Sequence, residues 1–201
     1  MSAREFEILT RDAIYQGFFS LECLTVRHTL FKGGWSGAIS RELFRSNNCV
    51  AVLLYDPDLD KVVLLEQFRV GASLNSRRAW LLEIVGGGIE EGETPEQVAY
   101  RETIEEAGCE IIDLIEIMSF YTTPGSSSEH IMLFCARVDS SAIGGIHGLQ
   151  EEGEDILVTA IDAGDVFDML EKRKIESAIS IVAIQWLYIH REKLRKQWLA
   201  S

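Results

Sequence analysis

Residues 86 to 110, GGGIEEGETPEQVAYRETIEEAGCE, set eight glutamates behind three consecutive glycines. Abundance singles out none of them, because a surface helix carries acids simply to stay solvated. Spacing is more selective. Residues three and four apart share a helix face, so Glu102, Glu105 and Glu106 converge on one stripe. Three like charges there repel one another unless they are fully solvated or hold a cation. Oxygen-only ligands favour a hard ion, Mg2+ or its substitute Mn2+, over zinc. With no side chains, Gly86, Gly87 and Gly88 let the backbone turn sharply, offer a carbonyl to a metal and admit a ligand at close range. Arg101, one turn before Glu105, can tie that acid down.

Local signals say which elements position these groups. Thr94-Pro95-Glu96-Gln97 supplies a capping hydroxyl, a proline at the first helical position and a glutamine three residues after the cap. Gly108 supplies a stop, so a helix is predicted over about residues 95 to 107. Residues 80 to 85, WLLEIV, read as a strand running into the glycines. Residues 49 to 69 read as a hairpin about Asp56-Pro57-Asp58, its apolar runs continuous enough to be buried on both faces. Residues 18 to 45 read as one or two strands, a Gly33-Gly34 turn and another strand. That segment is too small for its own core and must pack on the rest of the chain or on a second subunit.

Beyond the helix, residues 111 to 123 and 130 to 138 read as strands joined by a loop. A glycine-bearing acidic segment, GGIHGLQEEGED, follows, and then a strand, ILVTAI. Asp162 can cap a short helix. The last helix, near residues 175 to 199, presents Ile179, Val182, Trp186 and Ile189, and its basic end complements the helix dipole.

A net charge of −13 argues against nucleic acid and anionic membranes as partners, while a polyanionic small substrate remains compatible if a cation comes with it. Cys23, Cys49, Cys109 and Cys135 are widely spaced and read as reduced, packed thiols. The N-terminus lacks the apolar core of a signal peptide, and AISIVAIQWLYI is too short to span a bilayer. The protein is therefore expected in the cytoplasm. None of the four histidines shows metal-ligand spacing, and His147 reads as a loop residue without an assigned role.

Gly87, Glu93, Arg101, Glu102, Glu105, Glu106 and Gly108 together match the signature of Nudix hydrolases at its charged and glycine positions, with Thr103 and Cys109 as less typical occupants of two apolar slots. Phe18-Phe19, Arg41-Glu42, EQFR ending at Arg69, TTPGSSSE and GIHGLQEEGEDI extend the likeness over nearly the whole chain. There it resembles the bacterial ADP-ribose pyrophosphatases of that superfamily.

The resemblance implies an α/β fold, an α/β/α sandwich around a mixed sheet with a small N-terminal β module (residues 1 to 45, for dimerisation and substrate contacts) ahead of the hydrolase domain (residues 46 to 201). It implies Mg2+-dependent hydrolysis of ADP-ribose to AMP and ribose 5-phosphate by a homodimer with swapped N-terminal strands. By position, Gly86, through its carbonyl, and Glu102 and Glu106 are implied metal ligands, with Glu154 a further metal contact. Glu105 is a further ligand or an acceptor, and Glu93 and Arg101 brace the helix. Glu152 is the implied general base, with Glu151 its near rival. Phe18, Arg41, Glu42, Arg69, Gly88 and Glu129 are the implied substrate contacts. Two other readings stay open: hydrolysis of another nucleoside diphosphate sugar such as GDP-mannose, and a non-catalytic nucleotide sensor.

Overall fold

The computed structural model describes residues 4–74 and 78–200. The chain divides into two compact units: one runs to Asn48 and includes Tyr121–His130, the other holds Cys49–Phe120 and everything from Ile131 on. In the first unit, β1 (Phe6–Gln16), β2 (Ser20–His28) and β3 (Ile39–Arg45) form an antiparallel sheet in that order. The 121–130 segment joins it through Phe44, whose N–H donates to the Ser126 carbonyl and whose carbonyl accepts from the Ser128 N–H. Strand β1 had no counterpart among the sequence expectations. Its alternation is blurred by register shifts between Ile8 and Thr10 and between Ala13 and Tyr15.

The second unit is built on β4 (Cys49–Asp56) and β5 (Lys61–Phe68), the expected hairpin. The sheet continues through β6 (Trp80–Glu83), β7 (Val85–Gly88), β8 (Asp113–Tyr121), β9 (His130–Arg137), β10 (Gly144–His147) and β11 (Ile156–Asp162). The order is β10-β11-β5-β4-β9-β8, with β6 on β5 and β7 on β4. The β4–β9 pair is parallel and the β4–β5 pair antiparallel, so the sheet is mixed. The run WLLEIV, expected as one strand, is two. At Ile84 the chain steps from β5 to β4, and the Ile84 N–H, taken out of both ladders, donates to Ser180 Oγ at 3.2 Å.

Alternation along β4 buries both faces, as its continuous apolar run requires. Val50, Val52 and Leu54 pack with Val98, Ala99 and Ala107 of α2 (Pro95–Ala107). Ala51, Leu53 and Tyr55 pack with Ala163 and Val166 of α3 (Ala163–Glu171) and with Ala183, Ile184, Leu187 and Trp198 of α4 (Ala178–Leu199). Helices therefore cover both faces of the sheet, an α/β/α arrangement, and each fully buried Leu or Val contributes about 1.5–3 kcal/mol.

Two expectations for the C-terminal helices need correcting. On α4 the fully buried stripe is Ser180, Ala183, Ile184, Leu187, Leu194 and Trp198; Ile179, Val182 and Trp186 are half-buried and pack against the same core as expected, while Ile189 departs from the expectation at 72% exposed. Ser180 faces the sheet, where its Oγ accepts the Ile84 N–H, and Ala183 is buried in the same core. Asp162 stands at the N-cap of α3 but makes no capping bond; its carboxylate lies 3.4 Å from Lys61 Nζ instead. No helix among the described residues is long and apolar enough to cross a membrane.

Candidate active site

Helix α2 forms where its punctuation predicts. Thr94 Oγ1 accepts the Gln97 N–H at 3.3 Å, Gln97 Oε1 accepts the Thr94 N–H at 2.8 Å, and Gly108 ends the helix with φ 62. The two atypical occupants are absorbed locally. Thr103 is fully buried with its hydroxyl donating to the Ala99 carbonyl at 2.7 Å, and burial pushes the Cys109 thiol up to about 11.

The helix lies against β7, and the glycines make that approach possible. The Gly86 N–H donates to Glu106 Oε2 at 2.9 Å, and the Gly88 carbonyl accepts from Arg101 Nη2 at 3.5 Å. Alternate residues of β7 thus turn their backbone groups away from β4. In a strand the N–H and C=O of one residue point the same way, so the Gly86 carbonyl also faces the helix side. A Cβ added to Gly87 would lie 1.7 Å from Glu102 Oε1, so no other residue type leaves Glu102 where it is.

Glu106 is 3% exposed. Burial first, and then the charges of Glu102 and Glu154, push its carboxyl up to about 8, against the pull of the Gly86 N–H and of Arg69. Glu102 is raised too, chiefly by burial, with Glu105 and Glu154 adding to the effect and Arg101 opposing it. Arg101 holds the outer side of the site. It binds Glu93 through Nε at 2.9 Å and Nη2 at 3.1 Å, Glu102 at 2.7 Å and Glu105 at 3.1 Å, which raises its own pKa and lowers that of Glu93.

The remaining acids come from the β10–β11 connection. Glu154 is half-buried, with Oε2 accepting the Leu149 N–H at 3.0 Å, and it is the loop acid whose charge acts on Glu102 and Glu106. Glu151 and Glu152 stand exposed on the 3-10 turn Gln150–Glu152. The connection is tied to α2 at its first end. The Gly148 N–H donates to the Glu105 carbonyl at 3.2 Å, and the His147 ring packs where a Gly108 side chain would be, its Nε2 donating to the Gly144 carbonyl at 3.1 Å. Strand β10 itself was read from sequence only as a glycine-rich segment.

The structure thus brings together Gly86, Gly87, Glu102, Glu106 and Glu154, with Arg69 close enough to act on Glu106. Arg69 Nε lies 2.6 Å from Glu83 Oε2. Sequence reasoning passed over Glu83, although a lone charge inside the apolar run WLLEIV was a signal for it. Four of the implied substrate contacts lie in the first unit. Phe18 is 96% exposed and edge-on to Phe19, Arg41 and Glu42 are exposed on β3, and Glu129 accepts from Thr122 Oγ1 at 2.7 Å.

Among the described residues, no three acidic, His or Cys side chains close around one point as a ready-made metal cage. Like charges account for that, since Glu102 turns to Arg101 while Glu106 turns to the Gly86 amide. The oxygen-only donor set, the buried carboxylate and the side-chain-free cradle at Gly87 nevertheless fit a hard divalent cation, the kind held by one or two carboxylates with water and phosphate oxygens.

A family model described as the NUDIX domain matches residues 45–177. The chain is 42% identical over 194 residues to an ADP-ribose pyrophosphatase of Escherichia coli (strain K12), covering 96% of this chain and 93% of that protein. It is 40% identical over 203 residues to an ADP-ribose pyrophosphatase of Haemophilus influenzae, covering 100% and 94%. A GDP-mannose pyrophosphatase of Cronobacter sakazakii is 28% identical over 183 residues, covering 91% and 95%. A crystal structure described as an ADP compounds hydrolase superposes with a TM-score of 0.72 at 20% identity over 98% of both chains, and it shares the fold. Proteins with this domain generally use divalent metals. With the glycine strand, the capped helix and the acids of α2 in place and the domain matched over residues 45–177, more than half of the chain, the chain belongs to the Nudix family.

Proposed function

We propose that the protein hydrolyses the diphosphate of ADP-ribose, giving AMP and ribose 5-phosphate, with Mg2+ as its metal and Mn2+ as a working substitute. The observation that carries the reading is Glu106, a buried carboxylate flanked by Glu102 and Glu154 and held against a side-chain-free strand. ADP-ribose is preferred over GDP-mannose because proteins named for the former are 40–42% identical to this chain, against 28% for the latter. A non-catalytic sensor is disfavoured, since Glu102, Glu105, Glu106 and the loop acids are all present.

Glu102 and Glu106 with the Gly86 carbonyl would hold the metal, and Glu154 would add a contact. When bound, a divalent metal neutralises diphosphate oxygens and favours ionisation of water. Glu152 takes the proton of the attacking water, and its exposure on a short turn supports that role. Glu105 assists as a hydrogen-bond acceptor. Arg69, half-exposed and ion-paired with Glu83, meets phosphate oxygens. Gly88 leaves room for substrate, Phe18 stacks on the base, and Arg41, Glu42 and Glu129 bind ribose or phosphate oxygens.

The N-terminal module, residues 1 to 45, serves dimerisation and substrate contacts in a homodimer with swapped strands. What supports this is that every residue of β1 is exposed, including Phe6, Ile8, Leu9, Ile14 and Tyr15, an apolar load that calls for a partner. Neither nucleic acid nor membrane is a partner in this reading, and the cytoplasm is the site of action. The test is a panel of ADP-ribose, GDP-mannose, NADH and diadenosine phosphates with Mg2+, products resolved by chromatography. AMP and ribose 5-phosphate from ADP-ribose, ahead of the other substrates, is the expected result; preference for another member overturns it.

A further inference from the structure

Gln67 occupies an unusual position on the site-facing side of β5. Leu65 and Val63, two and four residues back along the strand, pack in the cluster formed with α2, so alternation sends the Gln67 side chain to the same side. Across the ladder Gln67 pairs with Leu81 and Leu65 pairs with Glu83, so the carboxylate that binds Arg69 shares this face. On the other side Leu157 pairs with Glu66. Continuing that register brings Ile156 beside Gln67, with Glu154 two residues further along. The residue is 6% exposed, and its Nε2 has no hydrogen-bond partner among the described residues. A buried amide with two unmet N–H groups is costly unless something supplies acceptors.

We propose that Gln67 is a further substrate-binding residue whose Nε2 donates to a non-bridging oxygen of the bound diphosphate. The inference rests on the reading of the site as a diphosphate hydrolase. An amide N–H points positive charge outward, so it repels a cation and is no metal ligand. It is also neutral, so it does not compete with the metal for Glu102, Glu106 or Glu154 as an additional lysine would. The part of the proposed complex that is rich in acceptors and lies between Arg69 and the carboxylates is the diphosphate itself. Gln67 and Arg69, two residues apart at the end of one strand, then form a pair of donors for it, one neutral and buried, the other charged and accessible.

Two variants test this. Gln67→Met keeps length and removes both donors, and Gln67→Asn keeps the amide but withdraws it by one methylene. For each, KM and kcat with ADP-ribose, Mn2+ affinity of the substrate-free protein by calorimetry, and its melting temperature are compared with wild type. The expected result is a rise in KM of about ten-fold in both, the loss of one hydrogen bond to a charged acceptor, with Mn2+ affinity unchanged and the melting temperature of Gln67→Met no lower than that of wild type, since it removes an unmet buried amide. An unchanged KM overturns the proposal, whatever happens to stability, because the amide then serves the fold. A fall in Mn2+ affinity in step with the KM rise also overturns it, because Gln67 then acts through the carboxylates. If wild type prefers another nucleoside diphosphate sugar, the ADP-ribose reading fails separately, and the same KM comparison on that substrate decides the role of Gln67, since the diphosphate is common to both.

Discussion

The amide of Gly86 and the carboxylate of Glu106 meet at 2.9 Å, which fixes a buried acid to the glycine strand beside it. That single bond does not offset the loss of hydration at a site 3% exposed, and the residual strain is electrostatic. The Glu106 position is therefore poor for an isolated charge and good for a charge beside a cation.

A pH dependence follows from the carboxyl being pushed up to about 8, first by burial, from its ordinary 4.5. The folded protein holds this proton more tightly than the unfolded chain, so the stabilisation is complete below about 4.5 and is lost as pH rises through about 8. The metal-free melting temperature of wild type relative to Glu106→Gln is expected to fall across that window, and saturating Mg2+ is expected to flatten the fall. Metal affinity rises over the same range, because binding displaces the proton. Parallel melting curves for wild type and variant from pH 5 to 9 would count against this account. Glu106→Gln is also expected to lower kcat at least about 100-fold while leaving the fold intact.

Gly87→Ala and Gly88→Ala are predicted to behave differently although they are neighbours. A Cβ at Gly87 meets Glu102 Oε1 at 1.7 Å and Cδ at 2.0 Å, whereas at Gly88 nothing lies within 4 Å. Neither residue has a positive φ, so backbone strain is not at issue. Gly87→Ala displaces Glu102 and is expected to weaken metal binding by about ten-fold or more. Gly88→Ala is expected to stay within about 0.5 kcal/mol of wild type in stability and near wild type in metal affinity. Titration calorimetry with Mg2+ separates the two, and equal affinities for both variants would sink the cradle argument.

The loop acids divide by their surroundings. Glu154 is held by the Leu149 N–H and acts on Glu102 and Glu106, whereas Glu151 and Glu152 are exposed on the adjoining turn. Glu154→Gln is expected to reduce metal affinity. Glu152→Gln is expected to spare it and to lower kcat by about 100-fold or more, the loss of a general base. If Glu151→Gln is the damaging change instead, the base is one residue earlier.

Helix α2 was legible residue by residue because its signals are local: Thr94, Pro95, Gln97 and Gly108 act within one turn of where they stand. The hairpin β4–β5 was legible for the same reason. Glu83 was not, because its meaning comes from pairing with Leu65 on another strand and from Arg69 beyond that strand's end. At the break, Ile84 is met by Ser180, 96 residues away, and the buried stripe of α4 is set by packing on β4, which is equally remote in sequence. Three glutamates with the right spacing also gave no hint that Glu106 would be buried while Glu105 stays at the edge with Arg101, since periodicity names a face and not its depth.

A stabilising cluster on the opposite face offers a separation of stability from activity. Asp60 sits in the β4–β5 turn with φ 58, its Oδ1 accepting from Tyr55 Oη at 2.7 Å and Arg191 Nε at 2.7 Å, and its Oδ2 paired with Arg191 Nη2. Arg191 holds the Asp60 carboxyl below the usual carboxylate range, and burial with Asp60 alongside pushes the Tyr55 phenol up. Together they tie the turn to α4, on the side of the sheet away from α2. Arg191→Ala leaves a partly buried carboxylate with the Tyr55 phenol as donor and Arg195, 3.9 Å from Oδ2, as its remaining charge partner, and is expected to cost about 2 kcal/mol of unfolding free energy. Arg191→Lys recovers only part of that, because one ammonium cannot reproduce the two-point contact. The kcat and KM of both variants at 25 °C are expected to match wild type, because no group of this cluster reaches the carboxylates of α2. Urea unfolding alongside steady-state kinetics checks the pair of claims, and a kcat that falls in proportion to stability would show that the two faces of the sheet are coupled.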